Sequence, residues 1–455
     1  EEGWCKGTNF LLNVSVSLEN KKYKFEDNKF IIGKSGNSGD QYDELVFSRR
    51  NVVEAYVPST IKRICSYSFS ECIFLKTIHF SKESKLEYID EYSFSSSSIE
   101  CITIPRLVKE ISKYSFYLCH KLAIVKFEED SLLVKIDSYS FSNTSITYIN
   151  IPSKVEYIGE STFSYCPKLK SITFSENSKL SSFEENLFSD STLENISIPP
   201  QINQIKARAF SNCQSLKTVE IPKESNLKII NEEAFLKSSI EKIFIPSEVI
   251  TIEKRAFYKC TNLQTVEFLE DSKLNKIAKE AFAFTSIICI TIPSQVITIE
   301  EGCFSHCDMM KTAIFPPNSQ LEQIQKKTFF NSALERITIP DSVKAIDNYA
   351  FSRCELLVVI EFSPNSKLVS IGCCSFSCTP LRAIKIPSHV NRIKECAFIS
   401  CGCLKSVEFD TSSELKSIEK DAFSDTAIEE IFIPSNVTKI GPHSFSQCYK
   451  LKSVK

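Results

Sequence analysis

Five histidines and nineteen cysteines are the side chains of this chain best suited to chemistry, as general acids and bases, nucleophiles or ligands of a soft metal. Their spacing decides between these uses. His79, His120, His306, His389 and His443 are scattered over different rungs, and none forms an acid–base pair or a metal motif with its sequence neighbours. Nine cysteines (Cys72, Cys119, Cys166, Cys213, Cys260, Cys307, Cys354, Cys401 and Cys448) recur every 47 residues. A second group, Cys373, Cys374, Cys378, Cys396, Cys401 and Cys403, is clustered instead. Within it Cys374 and Cys396 allow a disulfide or a shared metal, but the nearest histidine in sequence, His389, belongs to a different part of the repeat, so no zinc signature is assembled. Gly33-Lys34-Ser35 ends like a phosphate loop, yet Asn28 stands where the upstream glycine is required. No catalytic, cofactor-binding or metal-binding residue is assigned, and the chain reads as non-enzymatic.

What positions these residues is a phenylalanine beat. Phe69, Phe94, Phe116, Phe141, Phe163, Phe188, Phe210, Phe235, Phe257, Phe282, Phe304, Phe329, Phe351, Phe376, Phe398, Phe423 and Phe445 are spaced alternately by 25 and 22 residues. A proline keeps the 47-residue sum from Pro58 to Pro434. Fixed periods of this length mark solenoids, whose units cannot bury their apolar face alone and stack to make a continuous core. Each column cysteine follows a repeat phenylalanine by three residues, and the alternate units place Ser or Thr there, from Ser97 to Thr426. Column cysteines are therefore two rungs apart, roughly 10 Å at the inter-strand spacing, too far for a disulfide. They read as small core side chains, together with Phe69, Phe116, Phe163, Phe210, Phe257, Phe304, Phe351, Phe398 and Phe445.

Each unit opens with a strand such as Leu169-Lys170-Ser171-Ile172-Thr173-Phe174, in which Ile172 and Phe174 turn inward and Ser171 and Thr173 outward. One kind of unit ends its strand at Ile-Pro, the other at a polar stretch. The second strand residue alternates in sign (Lys170, Glu194, Lys217, Glu241), which would set opposite charges side by side. Residues 1–50 do not follow the beat and read as an N-terminal cap, with a turn-rich loop over Gly33 to Gly39. Residues 51–455 read as one solenoid of about 17 units, eight double repeats and a partial one. The chain starts without Met and stops inside a strand, so a signal, an anchor or a capping repeat is expected beyond its ends.

The pattern Ala256-Phe257, Cys260, Leu263, Val266 and Phe268, followed by Ser272, Leu274, Ala281-Phe282 and Ile292-Pro293-Ser294, resembles the BspA-like class of leucine-rich repeats, over about nine-tenths of the chain. The paired 25/22 form looks most like members from parasitic protists. The resemblance implies a β-dominated leucine-rich-repeat solenoid of the α/β-horseshoe type, with a curved parallel sheet on one face and irregular or short helical segments on the other. It further implies display at the cell surface or secretion, and adhesion to host or extracellular-matrix proteins.

Lys and Arg (54) nearly balance Asp and Glu (56), so charge gives no reason to expect nucleic acid as a partner. No apolar run is long enough to span a membrane. A protein ligand would be met by the outward strand positions, where Tyr56, Tyr148, Phe244 and Phe432 are candidate anchors. The charged Lys242, Glu267 and Arg336 complete that contact set. An intracellular scaffold is the competing role, since unbridged cysteines suit a reducing compartment. Four glycosylation sequons, at Asn13, Asn143, Asn195 and Asn436, lean toward secretion.

Overall fold

The computed structural model describes residues 4–8, 10–36 and 40–455; part of the loop expected over Gly33 to Gly39 lies outside them. Two compact units, Glu1–Glu220 and Ile221–Lys455, are each built from the same rung, and the solenoid makes about 18 turns in all. The first rung shows the plan. Strand β4 (Glu54–Val57) lies on the sheet face, the two-residue β5 (Arg63–Ile64) carries the chain back, and a run of turns through Phe69 leads to β6 (Thr77–Phe80) on the next rung. Inward alternation is strict: Ala55 and Val57 are buried while Glu54 and Tyr56 are exposed. Before the first rung, β1 (Tyr23–Glu26) and β2 (Phe30–Gly33) form an antiparallel hairpin. Strand β3 (Glu44–Ser48) then pairs antiparallel with β2 and parallel with β5.

The expected helical segments are absent: among the described residues the side opposite the sheet is made of turns. The reason is backbone conformation. In every unit the residues two before and two after the repeat phenylalanine have positive φ, as at Tyr67 (62°) and Glu71 (59°) or Arg255 (55°) and Lys259 (58°). Alternation of this kind cannot sustain i→i−4 bonding. Instead Ser68, Ser70 and Cys72 donate to the carbonyls three residues back, at 3.2 Å each, with positive φ at the third residue of the first and last turns, as in type II. The N–H groups between them cross to the next rung: Tyr67 to the Glu91 carbonyl (3.3 Å), Phe69 to Ser93 (2.7 Å) and Glu71 to Ser95 (2.8 Å). The turn corner is thus a third ladder, beside the sheet and the return strands.

Inside this frame the phenylalanine rings stack. Centroids are 4.9–5.9 Å apart from Phe69 to Phe210 and 5.1–5.7 Å from Phe235 to Phe445. All but the last are fully buried. Phe445 and Cys448, expected in the core, are half-buried, because on the last phenylalanine rung the ring is covered from one side only.

At the other end Trp4 packs on Phe47 (5.3 Å) and Phe30 meets the first repeat phenylalanine, Phe69, edge-on (6.0 Å). Arg50 is 1% exposed and donates to the carbonyls of Ser68 (3.0 Å), Tyr67 (3.3 Å) and Cys5 (3.4 Å), with its guanidinium 4.8 Å from the Phe47 ring. One buried cation thereby ties the N-terminal segment to the first turn corner.

Replacing Phe257 with Ala removes a ring stacked on both faces (5.2 and 5.1 Å) and should lower stability by about 3–5 kcal/mol. Arg50→Ala strands several buried carbonyls and should cost roughly 3 kcal/mol or more. Urea unfolding followed by circular dichroism checks both; midpoints equal to the parent's would refute the two assignments.

Candidate functional site

On the sheet face the double repeat has a geometric consequence. Each Ile-Pro strand pairs over its whole length with the strand that follows it: Cys101–Ile104 matches Ile124–Phe127, and Arg336–Ile339 matches Val359–Phe362, over four residues each. On the preceding side the register falls to one residue pair, Thr77↔Cys101, Ile124↔Tyr148 or Thr312↔Arg336. Proline explains the asymmetry. Glu128 N–H closes the full pairing by donating to the Ile104 carbonyl (3.1 Å), and Ser363 does the same to Ile339 (3.3 Å). The equivalent donors on the open side would be Pro105, Pro152 and Pro340, which have no N–H.

Two of these open junctions are shallow depressions with apolar side chains exposed at the rim. In the first unit Ile124 (42% exposed) faces Tyr148 (52%), bordered by Lys126, Asn150 and Lys154. In the second, Ile314 (48%) and Arg336 border a depression with Thr338 and Glu361. Tyr148 and Arg336, picked out from sequence, therefore share one setting, and the structure adds Ile124, which sequence reasoning missed because it falls on the residue before the central inward position.

The remaining candidates do not converge with these. Tyr56 is exposed (57%), stacks on His79 at 4.7 Å and has the Lys29 ammonium 5.9 Å from its ring. It stands four rungs from Tyr148, about 19 Å at normal strand spacing. Lys242, Phe244 and Glu267 are neighbours on the fully paired ribbon Lys242–Ile245 and Thr265–Phe268, with Phe244 in register with Glu267. Phe244 is half-buried, not exposed as Tyr56 and Phe432 are. Phe432 is exposed (67%), just past the short strand Glu430–Ile431. The charge ladder is present in part: Lys170 pairs with Glu194 (3.2 Å), Lys311 with Glu335 (3.5 Å) and Lys452 with Glu429 (3.1 Å). Such exposed pairs contribute little stability each and act mainly on register. Asn195, the sequon residue on a sheet-face strand, is exposed.

Aromatic ladders on the turn side were also missed. Tyr67, Tyr92, Tyr114 and Tyr139 stack with centroids 4.7–5.0 Å apart, and Phe284 stacks on His306 at 4.4 Å. The signal was present, since each lies two residues before or after a repeat phenylalanine, the positions of positive φ.

The column cysteines are more than filler. From Cys119 onward each thiol donates to the carbonyl of the preceding rung's phenylalanine (2.9–3.3 Å). Each also meets the Ser or Thr hydroxyl of that rung (3.2–3.6 Å). Burial pushes the thiols of Cys119, Cys213 and Cys260 up to about 12, so they are protonated and unreactive at neutral pH. No disulfide joins the cysteines, and Cys289, Cys378 and Cys403 are exposed. The histidines remain dispersed; His389 pairs with the exposed Glu414 at 3.1 Å. No helix among the described residues is long and apolar enough to cross a membrane.

A family profile for the BspA type leucine rich repeat region (6 copies) matches residues 42–170, 134–249, 228–358 and 322–452. This chain belongs to that family. Leucine-rich repeat proteins are prominent among the solved structures it resembles. A leucine-rich repeat protein from Bacteroides ovatus is 22% identical over 97% of this chain and 94% of its own, with a TM-score of 0.57. The pneumococcal vaccine antigen PcpA is 19% identical over 94% of both chains (TM-score 0.43). A leucine rich cell surface protein from Faecalibacterium prausnitzii is 20% identical over 96% of both (TM-score 0.39). No curated protein matches the sequence. At these identities the likeness to solved structures speaks for the fold.

Two outcomes follow for the thiols. A membrane-impermeant maleimide applied to native protein at neutral pH should label Cys289, Cys378 and Cys403 within minutes and leave the fully buried column cysteines untouched until urea is added; mass spectrometry of peptides reads the result. In the native state Cys119, Cys213 and Cys260 hold their protons to about 12, against 9.0 for an ordinary thiol. The folded pKa is raised, so this contribution is complete below the unfolded pKa and is lost as pH climbs from 9 toward 12. Thermal midpoints should fall across that window, and less steeply in a Cys119→Ser, Cys213→Ser, Cys260→Ser variant.

Proposed function

We propose that this BspA-type repeat protein is a non-enzymatic protein-binding module displayed at the cell surface or secreted, and that it holds host or extracellular-matrix proteins on its sheet face. The observation that carries this reading is the pair of open junctions, where Ile124 with Tyr148 and Ile314 with Arg336 put apolar and hydrogen-bonding groups together on the sheet face. A preformed strand surface loses little conformational freedom on binding, and exposed aromatic and arginine side chains are the usual anchors. The family is one of protein-interaction repeats, and its surface-associated relatives support the location. Tyr56, Phe432 and the Lys242, Phe244 and Glu267 group would then be secondary contacts. Paired 25/22 units, rich in Lys, Ser and Ile, favour a protist-type member.

Binding to immobilised fibronectin, laminin and collagen, measured by biolayer interferometry, tests the face. Tyr148→Ala and Arg336→Ala should each weaken any interaction by roughly tenfold or more, whereas Tyr92→Ala on the turn side should leave it unchanged. Protease treatment of intact source cells tests the location: a protected protein would favour the intracellular scaffold, to which the unbridged cysteines are equally suited.

A further inference from the structure

The column of side chains two residues before the repeat phenylalanine holds tyrosines on its first four rungs, Tyr67 to Tyr139, but has another character toward the end of the second unit. There Tyr349, Cys374, Cys396, Asp421 and His443 occupy it on five consecutive rungs, all with φ between 51° and 59°. Positive φ and the turn ladder fix their directions: Cys374 N–H donates to the Glu395 carbonyl (3.0 Å), Cys396 to Lys420 (3.0 Å) and Asp421 to Pro442 (3.1 Å). The ligand atoms of Glu395, Cys396 and Asp421 all lie within 4.8 Å of one another, and the Cys374 thiol, one rung back, interacts with that of Cys396. We propose that Cys374, Glu395, Cys396 and Asp421 form a surface site for a thiophilic divalent cation of the zinc class.

Two thiolates and two carboxylates are a donor set for four-coordinate zinc, with bonds of about 2.0–2.3 Å; Glu395, Cys396 and Asp421 already converge, and the Cys374 side chain would turn toward them from the preceding rung. The local electrostatics ask for a cation. Lys420 supplies the present one, with its ammonium 3.4 Å from Glu395 and 3.6 Å from Asp421. On binding, each thiol S–H bond breaks, its electron pair passes to the metal and its proton to solvent; nothing is oxidised. The cation would clamp three successive rungs at the turn corner.

Titration of the reduced protein with Cd²⁺, followed by the ultraviolet thiolate-to-metal charge-transfer band, tests the site. One equivalent should bind. Cys396→Ser and Cys374→Ser should each weaken binding by roughly tenfold or more, and the double variant should lose the band. Both should fold, since Ser161 occupies the same column with φ 54°; unchanged thermal midpoints without metal check this. Lys420→Gln removes the competing ammonium and should bind Cd²⁺ several-fold tighter. A triple variant at Cys289, Cys378 and Cys403 should keep the band. The proposal fails if wild type shows no band, if the band survives in the Cys374→Ser, Cys396→Ser protein, or if Lys420→Gln binds more weakly.

Discussion

Hydrogen bonding between rungs at the phenylalanine corner is the constraint on which the rest of the structure depends. Three N–H groups per turn can reach the next rung only if the chain alternates handedness, and so two residues in every unit take the left-handed conformation. Outside glycine that conformation costs about 1–2 kcal/mol per residue, and only one of these positions, Gly302, is glycine. Because the same corner recurs at every rung, the cost is offset at every rung by the cross-rung backbone bonds and by the ring stack they hold in register. Phenylalanine is suited to that column for a plain reason: a flat ring repeated near 5 Å fills a corridor whose width the backbone ladder sets.

The 47-residue double repeat has two separate physical causes. One is inside: a thiol on alternate rungs donates to the phenylalanine carbonyl behind it and meets the hydroxyl of that rung. Cysteine at every rung would lose the hydroxyl partner, and hydroxyls alone would be a poorer fill for an apolar interior. The other is on the sheet, where proline closes alternate strands and removes one donor from one side only. Strands are tied in pairs and opened between pairs. Core chemistry and sheet geometry therefore share a period although no contact forces them to.

Much of this was legible in the sequence. Spacing alone dictates the solenoid, the inward strand residues, the cysteine column and the impossibility of disulfides along it. The turn side was misread as helical because Tyr67, Arg255 and Cys396 carry no mark of the left-handed conformation, for which glycine or asparagine is the usual sign. Phe244 stands at an outward strand position, which does not by itself reveal that the ring is half-buried. Tyr148 was found for its ring, while Ile124, its partner in register at the open junction, was not, since it falls on the residue before the central inward position. Periodicity reports what repeats; a binding surface is made by what does not.

That difference bears on how such a chain can acquire function. Stability rests on the ring stack, the inward strand residues and backbone bonds, none of which uses the outward side chains of the sheet or the residues at positive φ. Those positions can therefore change chemistry at small cost, and they have: one column runs from stacked tyrosines at Tyr67 to Tyr139 to a cysteine and carboxylate cluster at Cys374 to Asp421, on the same backbone geometry. The spacing along each column stays near one rung whatever the residue, so neighbours of compatible chemistry are brought within contact distance as soon as they occur in sequence. A corner built for backbone reasons thus becomes a place where aromatic ladders or ligand sets arise from single substitutions, and the proline junctions do the same for the sheet.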